Sequence, residues 1–518
     1  MSRLFGSKLG SPLRDPRSAY LIVGLLATLV YLNSLPNDFA YDDYHIVTVN
    51  ENIHQISTFD EALTTPYWPG AYGRELGLWR PVTTLSFGLQ WVAGGGDPLL
   101  FHMVNVLAHL VASVVVLALF IELLSLPAAF AGAAIFAIHP VHVEAVANIV
   151  GYSEIISTLC AVAACVLHIR GGPISTWRTA LGVGGLYLLA FGAKESGVTL
   201  PGLIFVVDAA RGHIGFREVP KYIADRWKTY LVMLLVAIGL LVGRFSILGS
   251  IASPFGPLGA DLLTEIPKIW TLGDIWMHYV RLWMFPMDLA ADYTPNVLPI
   301  SISWRPENIV GVGMGLLVLT LALVAWRKPE LRAGVDSSKA AAFGVVWFVI
   351  AMSPVSNTLF LSGVLLAERT LYLPSVGLAA ATGWLIVRLA RDRKQLGWGL
   401  LIAAVTLGSV RTWTRNPTWK DTDTVFQHLL EDYPQSGRSQ WAIGDQFIRA
   451  GQVSEGLVSY RAAINLLGTS YQLMTEIASS LMNMERYRGA ENILRYAIND
   501  SPQFPLGYSL VTAIRAER

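Results

Sequence analysis

Charge is scarce in this sequence: Asp, Glu, Lys and Arg make up 14% of its 518 residues. Soluble domains carry about 25%, so an ordinary water-soluble enzyme is excluded. The charge present is balanced, 38 Lys and Arg against 37 Asp and Glu, which leaves no basic surplus for binding nucleic acid. Cysteine is scarcer still. Cys160 and Cys165 sit in one apolar run, too few and too close for a disulfide framework, and read as core thiols. Arg3, Lys8, Arg14 and Arg17 precede an apolar segment from Tyr20 to Leu35, and no small-residue cleavage site follows it. That segment is expected to be a first transmembrane helix with its basic start in the cytoplasm.

Apolar residues are abundant, at 53%, with a mean hydropathy of +0.47. They recur as runs at Phe101–Leu124, Ala128–Ile138, Ala145–His168, Ala180–Ala193, Val198–Val207 and Thr229–Leu248. Further runs follow at Ile266–Phe285, Ile309–Trp326, Ala340–Ser353, Leu371–Leu389 and Leu396–Val410. The pattern predicts an all-α chain, a polytopic membrane bundle of about 11–13 helices. Basic residues cluster at Arg170/Arg178, Arg211 to Lys228, Arg327 to Lys339 and Arg388 to Lys394, and the positive-inside rule puts all of these in the cytoplasm. Pro36–Pro98, Ile138–Glu144, Lys194–Gly197, Gly249–Pro306 and Pro354–Thr370 then face outward. Ile266–Phe285 breaks the parity and reads either as re-entrant or as lying along the interface.

After Val410 the composition turns mixed, with helical periodicity and a repeat. Gly444, Phe447, Gly456, Tyr460 and Ala463 recur 34 positions later as Ala478, Leu481, Ala490, Leu494 and Ala497. This is the period of tetratricopeptide repeats (TPRs), helix pairs that stack into an α-solenoid. The expected division is a membrane domain over 1–415 and an extracytoplasmic repeat domain over 416–518.

Ionisable groups at a membrane face are costly and therefore candidates for function. They collect on the outward side. Asp42 and Asp43 adjoin at the exit of the first helix; like charges raise one pKa and leave a base beside a polar anchor, unless they are merely solvated turn residues. His139, His142 and Glu144 flank Pro140 and suit metal, phosphate or acceptor contact, or else a simple capping turn, which is favoured over metal. Lys194 and Glu195 read as an interfacial pair or as a snorkelling one. Arg369 suits an anionic ligand, or an internal ion pair with Glu368 or with an aspartate of another loop. Arg80 is a weaker candidate of the same kind.

In this order the runs Tyr-Asp42-Asp43, Arg80-Pro-Val-Thr, Phe101-His-Met-Val-Asn105, His139-Pro-Val-His-Val-Glu144-Ala-Val, Ala-Lys194-Glu195 and Ala-Glu368-Arg369-Thr-Leu-Tyr372-Leu-Pro-Ser375 resemble the transmembrane and TPR-containing O-mannosyltransferases, the TMTC type. The repeat array is short beside the animal members, which points to a bacterial relative in an inner membrane. The resemblance implies a GT-C glycosyltransferase that moves a mannose-like sugar from a polyprenyl or dolichyl phosphate to Ser or Thr hydroxyls of extracytoplasmic protein, with inversion. By motif, Asp42 or Asp43 is the general base. Arg80, His139, His142, Glu144, Lys194, Glu195, Glu368, Arg369 and Tyr372 are expected at the donor phosphate and substrate. No cofactor is firmly implied, and a divalent metal is not favoured.

The residues fit that chemistry. A lipid-phosphate sugar has a good leaving group, so the reaction needs a base for the acceptor and a fixed cation for the departing phosphate. A solenoid offers a concave surface for polypeptide. The rivals are a lipid or glycan acceptor, a non-catalytic assembly scaffold, and a transporter. A transporter is disfavoured because the charges gather at one face and not at the midplane.

Overall fold

A computed structural model describes residues 15–69, 73, 76–212, 214, 218–251, 268–294, 297–298, 306–328, 330–334, 337–359, 362–467, 471–502 and 505–517. Arg3, Lys8 and Arg14 lie outside the described residues. Helices begin where the sequence supplies a cap or a proline. The Asp15 carboxylate accepts the Arg17 N–H at 3.0 Å to start α1 (Pro16–Leu29), and α2 (Pro81–Gly94) opens on proline. Asp97 caps α3 (Pro98–Leu123), and α4 (Leu126–Ile138) stops at His139 before Pro140. A turn over 140–151 leads into α5 (Tyr152–Arg170), followed by α6 (Trp177–Ala193), α7 (Leu200–Arg211) and α8 (Val219–Leu248). Then come α9 (Lys268–Met284), α10 (Pro306–Trp326), α11 (Lys339–Met352), α12 (Ser375–Asp392) and α13 (Lys394–Arg415).

Besides the short helices Phe59–Thr64 and Val143–Val146, these thirteen make up the α-helices of this part of the chain among the described residues, against an expected bundle of about 11–13 membrane helices. Among the described residues five helices are long and apolar enough to cross a membrane, or six if the bent pair made by α4 and the turn after Pro140 counts as one span. This is an integral membrane protein. Its helices divide by exposure. The span ending in α5 is 83% buried over its most apolar window, and the corresponding window of α8 is 11% buried. On α8, Leu234, Leu235, Ile238, Val242 and Phe245 are between 49% and 59% exposed, an apolar row that suits lipid and not water. Cys160 and Cys165 are buried free thiols, as expected.

Small residues set the central packing. A Cβ on Gly383 would lie 2.4 Å from the Ala128 carbonyl oxygen, and one on Gly344 would lie 2.4 Å from that of Gly377. Backbones of α4, α11 and α12 therefore touch, the close approach that glycine permits between membrane helices.

The bundle has two unlike faces. On one, the Leu331 N–H donates to the Ala210 carbonyl at 2.9 Å, Gly334 N–H to that of Leu124 at 3.3 Å, and Ser175 N–H to that of Asp225 at 2.8 Å. Beneath them the Asp208 carboxylate accepts from His168 at 2.8 Å, Tyr222 at 3.1 Å and Arg226 at 3.2 Å. Arg170, Arg211, Arg226 and Lys339 belong to the segments gathered here. The other face carries the segments singled out in the sequence for their polar residues.

Two helices lie along that second face. Trp276 of α9 donates to Thr358 at 3.0 Å, Tyr279 bonds Thr370 at 2.9 Å, and His139 meets the Trp283 carbonyl oxygen at 2.9 Å. These contacts run from the middle of α9 to its C-terminal end and tie it to segments of that face, and α9 is not among the described helices long and apolar enough to cross a membrane. The helix α2 falls inside the expected loop Pro36–Pro98. Its Thr83, Thr84, Ser86 and Gln90 dilute the apolar signal that marked the other helices.

The chain continues as α14 (Thr422–Asp432), α15 (Gly437–Arg449), α16 (Val453–Leu467), α17 (Tyr471–Asn483), α18 (Tyr487–Asp500) and α19 (Pro505–Glu517). Gly437 faces Leu467, Gly444 faces Tyr460 and Gly456 faces Ile448, so α15 and α16 are antiparallel. Ala478, Leu481, Ala490 and Leu494 are fully buried or nearly so, 34 positions on from the residues of that first pair. These helices share a core of their own, from Trp441 to Ile514.

Candidate active site

The connection after α1 folds back under the end of α13. Asn416 donates to the Val30 carbonyl at 2.8 Å, and Asp38 N–H donates to that of Lys420 at 2.7 Å. This fixes the start of the acidic loop. The adjacent aspartates then take opposite environments. Asp43 is buried, its Oδ2 accepting Ala40 N–H at 3.0 Å and its Oδ1 accepting Val150 N–H at 2.8 Å. Burial pushes its carboxyl up to about 7, although these hydrogen bonds favour the ionised form. The Val150 donor is itself held in place, because Asn105 Nδ2 donates to the carbonyls of Val146, Asn148 and Ile149.

Asp42 points the other way. Its Oδ2 lies 3.4 Å from Nη1 of Arg369, and its side chain keeps 17% exposure. The same guanidinium nitrogen lies 3.3 Å from Glu144 Oε1, and Arg369 N–H donates to Glu144 Oε2 at 2.8 Å. Glu144 is nearly sealed, with its side chain 3% exposed, and so serves as the fixed counter-charge that orients the arginine. Of Asp42, Asp43 and Glu144, Asp42 is the carboxylate that keeps some exposure.

A second group adjoins the first. Lys194 pairs with Glu154 of α5, both buried. Burial lowers the Lys194 pKa; Glu154 opposes this, while Arg80 and Arg369 add to it. Arg80 donates to Glu195 Oε2 through Nε at 3.1 Å and Nη2 at 2.9 Å, and its guanidinium lies 4.8 Å over the Tyr67 ring. Arg244, at the end of α8, comes within 3.6 Å of Glu195 Oε1. Burial alone would raise the Glu195 carboxyl, but Arg80 and Arg244 more than offset it and hold it at about 2.

The other expected residues face inward. His139 stacks on Trp283 with ring centroids 4.1 Å apart and accepts Val141 N–H. His142 uses both ring nitrogens, at 2.9 Å to the Phe136 carbonyl and 2.9 Å to the Ser375 hydroxyl. Tyr372 bonds His109 at 2.6 Å. Glu368 accepts from Ala290 N–H at 2.7 Å and Tyr293 at 2.8 Å, and its burial raises the carboxyl to about 7. His139, His142, Glu368 and Tyr372 thus pack the helix breaks together, with hydrogen-bond partners other than the Asp42–Arg369 pair. Among the described residues no group of three His, Cys, Asp or Glu is arranged to hold a metal.

Sequence reasoning missed Glu154, Tyr67 and Arg244. Glu154 carried a signal, since it is an acid inside an apolar run. A cleft of about 390 Å³ opens between the acidic loop and the C-terminal helices, lined by neighbours of Asp42 and not by Asp42 itself. It is lined by Phe39, Tyr41, Tyr44 and His45 on one side and by Asp421, Thr422, Asp423 and Arg449 on the other.

No family model matches the chain. Its curated homologues are protein O-mannosyl-transferases. It is 24% identical over 508 residues to protein O-mannosyl-transferase TMTC3 of Mus musculus, covering 93% of this chain and 55% of that protein. It is 27% identical over 461 residues to protein O-mannosyl-transferase F38B6.6 of Caenorhabditis elegans, covering 86% of this chain and 62% of that one. The chain therefore spans little more than half the length of these relatives. Among solved structures it is similar to the archaeal oligosaccharyltransferase AglB from Archaeoglobus fulgidus in complex with an inhibitory peptide and a dolichol-phosphate. That likeness has a TM-score of 0.41 at 12% identity, over 84% of this chain and 59% of the other.

Proposed function

We propose that this chain, homologous along nearly its whole length to TMTC-type protein O-mannosyl-transferases, is a membrane glycosyltransferase. It takes a mannose-like sugar from a polyprenyl or dolichyl phosphate and passes it, with inversion, to a Ser or Thr hydroxyl of extracytoplasmic protein. The observation that carries this reading is the partly exposed Asp42–Arg369 pair, with Glu144 fixing the arginine from behind. An ionised Asp42 removes the proton from the acceptor hydroxyl as it attacks the anomeric carbon. The bond from that carbon to the phosphate oxygen breaks, and the charge gathering on the phosphate is met by Arg369, with Lys194 and Arg80 nearby. Glu154 and Glu195 hold those cations in position. Asp43, His139, His142, Glu368 and Tyr372 support the backbone on which the reacting groups stand.

In this reading residues 1–415 form the catalytic membrane domain and 416–518 a tetratricopeptide-type array outside the cytoplasm, in a bacterial inner membrane. The acceptor polypeptide approaches Asp42 through the cleft between loop and repeats. The lipid carrier lies between helices open to the bilayer.

The test is transfer by the purified protein in detergent, given radiolabelled polyprenyl-phosphate mannose and an extracytoplasmic protein extract, beside Asp42→Asn. Protease-sensitive label made only by the unaltered protein is the expected result. Label in lipid or glycan would move the acceptor class. Failure with a panel of carrier-linked sugars would overturn the enzyme reading.

A further inference from the structure

The residue before Asp42 is held from the far end of the chain. Tyr41 has φ of +56°, a left-handed backbone that a tyrosine adopts only under constraint. Its N–H donates to the Thr422 hydroxyl at 2.9 Å, and its ring meets Phe426 edge-on at 5.5 Å. The Arg438 guanidinium of α15 lies 4.0 Å over Trp441 and 5.3 Å over both Tyr41 and Phe426. The Tyr41 hydroxyl reaches Asp292 at 3.4 Å. On the other side of Asp42, Asp43 is fastened to the membrane bundle through Val150 N–H. Asp42 thus sits between two anchors, one in the bundle and one in the C-terminal helices.

We infer that Arg438, with Thr422 and Phe426, is a positioning element: it holds Tyr41 in its left-handed conformation and thereby aims the Asp42 carboxylate at the acceptor. The C-terminal helices are then part of the catalytic geometry, beyond any role in collecting acceptors. The inference rests on Asp42 being the base. A cation caged by aromatic rings suits this task because the attraction is strong in a desolvated setting yet imposes little direction on the rings. Without the cage, the residue in the unfavourable backbone region is free to relax by rotation about φ, which turns the next side chain with it.

Two readouts test this on the full-length protein: amide hydrogen exchange of the 39–45 segment, and steady-state transfer to a short Ser/Thr peptide at saturating donor. Arg438→Ala and the milder Thr422→Val are expected to speed exchange in 39–45 at least tenfold while leaving 143–151 and 366–372 unchanged. They are expected to cut kcat at least tenfold with the acceptor KM within twofold. Arg438→Lys, which keeps a cation over Trp441, is expected to restore most of both. Unchanged exchange, or a raised KM with kcat preserved, would overturn the proposal, the latter by making the residue a recruiter. If the unaltered protein transfers no sugar, the functional reading fails and the inference with it. Exchange in 39–45 then reports only whether the clamp exists.

Discussion

Asp42 and Arg369 stand 327 positions apart in the chain and meet with Oδ2 and Nη1 at 3.4 Å. The pair is longer than a tight salt bridge, and Arg369 is shared with Glu144 at 3.3 Å. An arginine held from behind leaves its front carboxylate loosely paired, so the proton transfer and phosphate contact of the proposed reaction would need little rearrangement. Asp42→Asn is therefore expected to lower kcat by about 10²–10⁴, the usual worth of a positioned general base. The melting temperature should be almost unchanged, as measured by fluorescence in detergent.

Glu144→Ala should do the opposite to stability. It leaves the Arg369 guanidinium and N–H without their buried acceptor. Breaking a buried pair from one side costs about 3–5 kcal/mol, so a melting temperature lowered by several degrees or more is expected. A melting temperature equal to the unaltered protein's would show that Glu144 is not the anchor.

Glu368 gives a pH signature. Its folded carboxyl sits at about 7 against an ordinary 4.5, so the folded state binds more protons than the unfolded one between those values. Stability from this group is greatest below pH 4.5 and declines as pH rises through 7. Glu368→Gln, which cannot ionise, should raise the melting temperature at pH 8 by ~2 °C or more and change it little at pH 5. Asp43, raised to about 7 from 3.8, adds a slope of the same sign.

Glu195 has the reverse sign. Held at about 2, it contributes stability that is complete above pH 4.5 and is lost as pH falls toward 2. Arg80→Met removes its closest partner and leaves Arg244 at 3.6 Å. The acid-unfolding midpoint of this variant should move to higher pH, which a melting series between pH 3 and pH 7 would reveal.

The close backbone crossing is the last target. Gly383→Val places a branched side chain against the Ala128 carbonyl, where even one Cβ comes within 2.4 Å. Overpacking of this kind costs about 1–3 kcal/mol or more. A lower yield of folded protein by size-exclusion chromatography is expected, whereas Gly239→Val on the lipid-facing α8, with nothing within 4 Å of its Cβ, should be tolerated.

The helical class, several of the apolar helices and most charged residues of the candidate site were legible because each is a local signal: an apolar run, or an ion where ions are expensive. Partnerships were not. Lys194 and Glu195 adjoin in sequence and invite pairing with each other, yet Lys194 pairs with Glu154 and Glu195 with Arg80. The first two residues of a tight turn point apart, and only the packing of α5 and α2 determines what each one meets. Glu154 was hidden by the hydrophobicity of its own helix, and α2 by polar residues that proved to be buried hydrogen-bonding groups, such as Thr83 on the Ala193 carbonyl at 2.9 Å. For His139 and His142 the expectation stayed divided between substrate contact and a hydrogen-bonding turn, because a sequence cannot show that both nitrogens of His142 are already engaged.

The Asp208 cluster on the opposite face bears on supply. His168, Tyr222 and Arg226 converge on one carboxylate, and backbone bonds from Leu331 and Gly334 tie the neighbouring segments over it. In the proposed function this stapled face is not the working side. In the proposed reaction the carrier must arrive with its sugar already on the working side, and the spent carrier must leave from it. Crossing of the bilayer is then left to other machinery, and the rate of that crossing becomes an upper limit on the output of this protein.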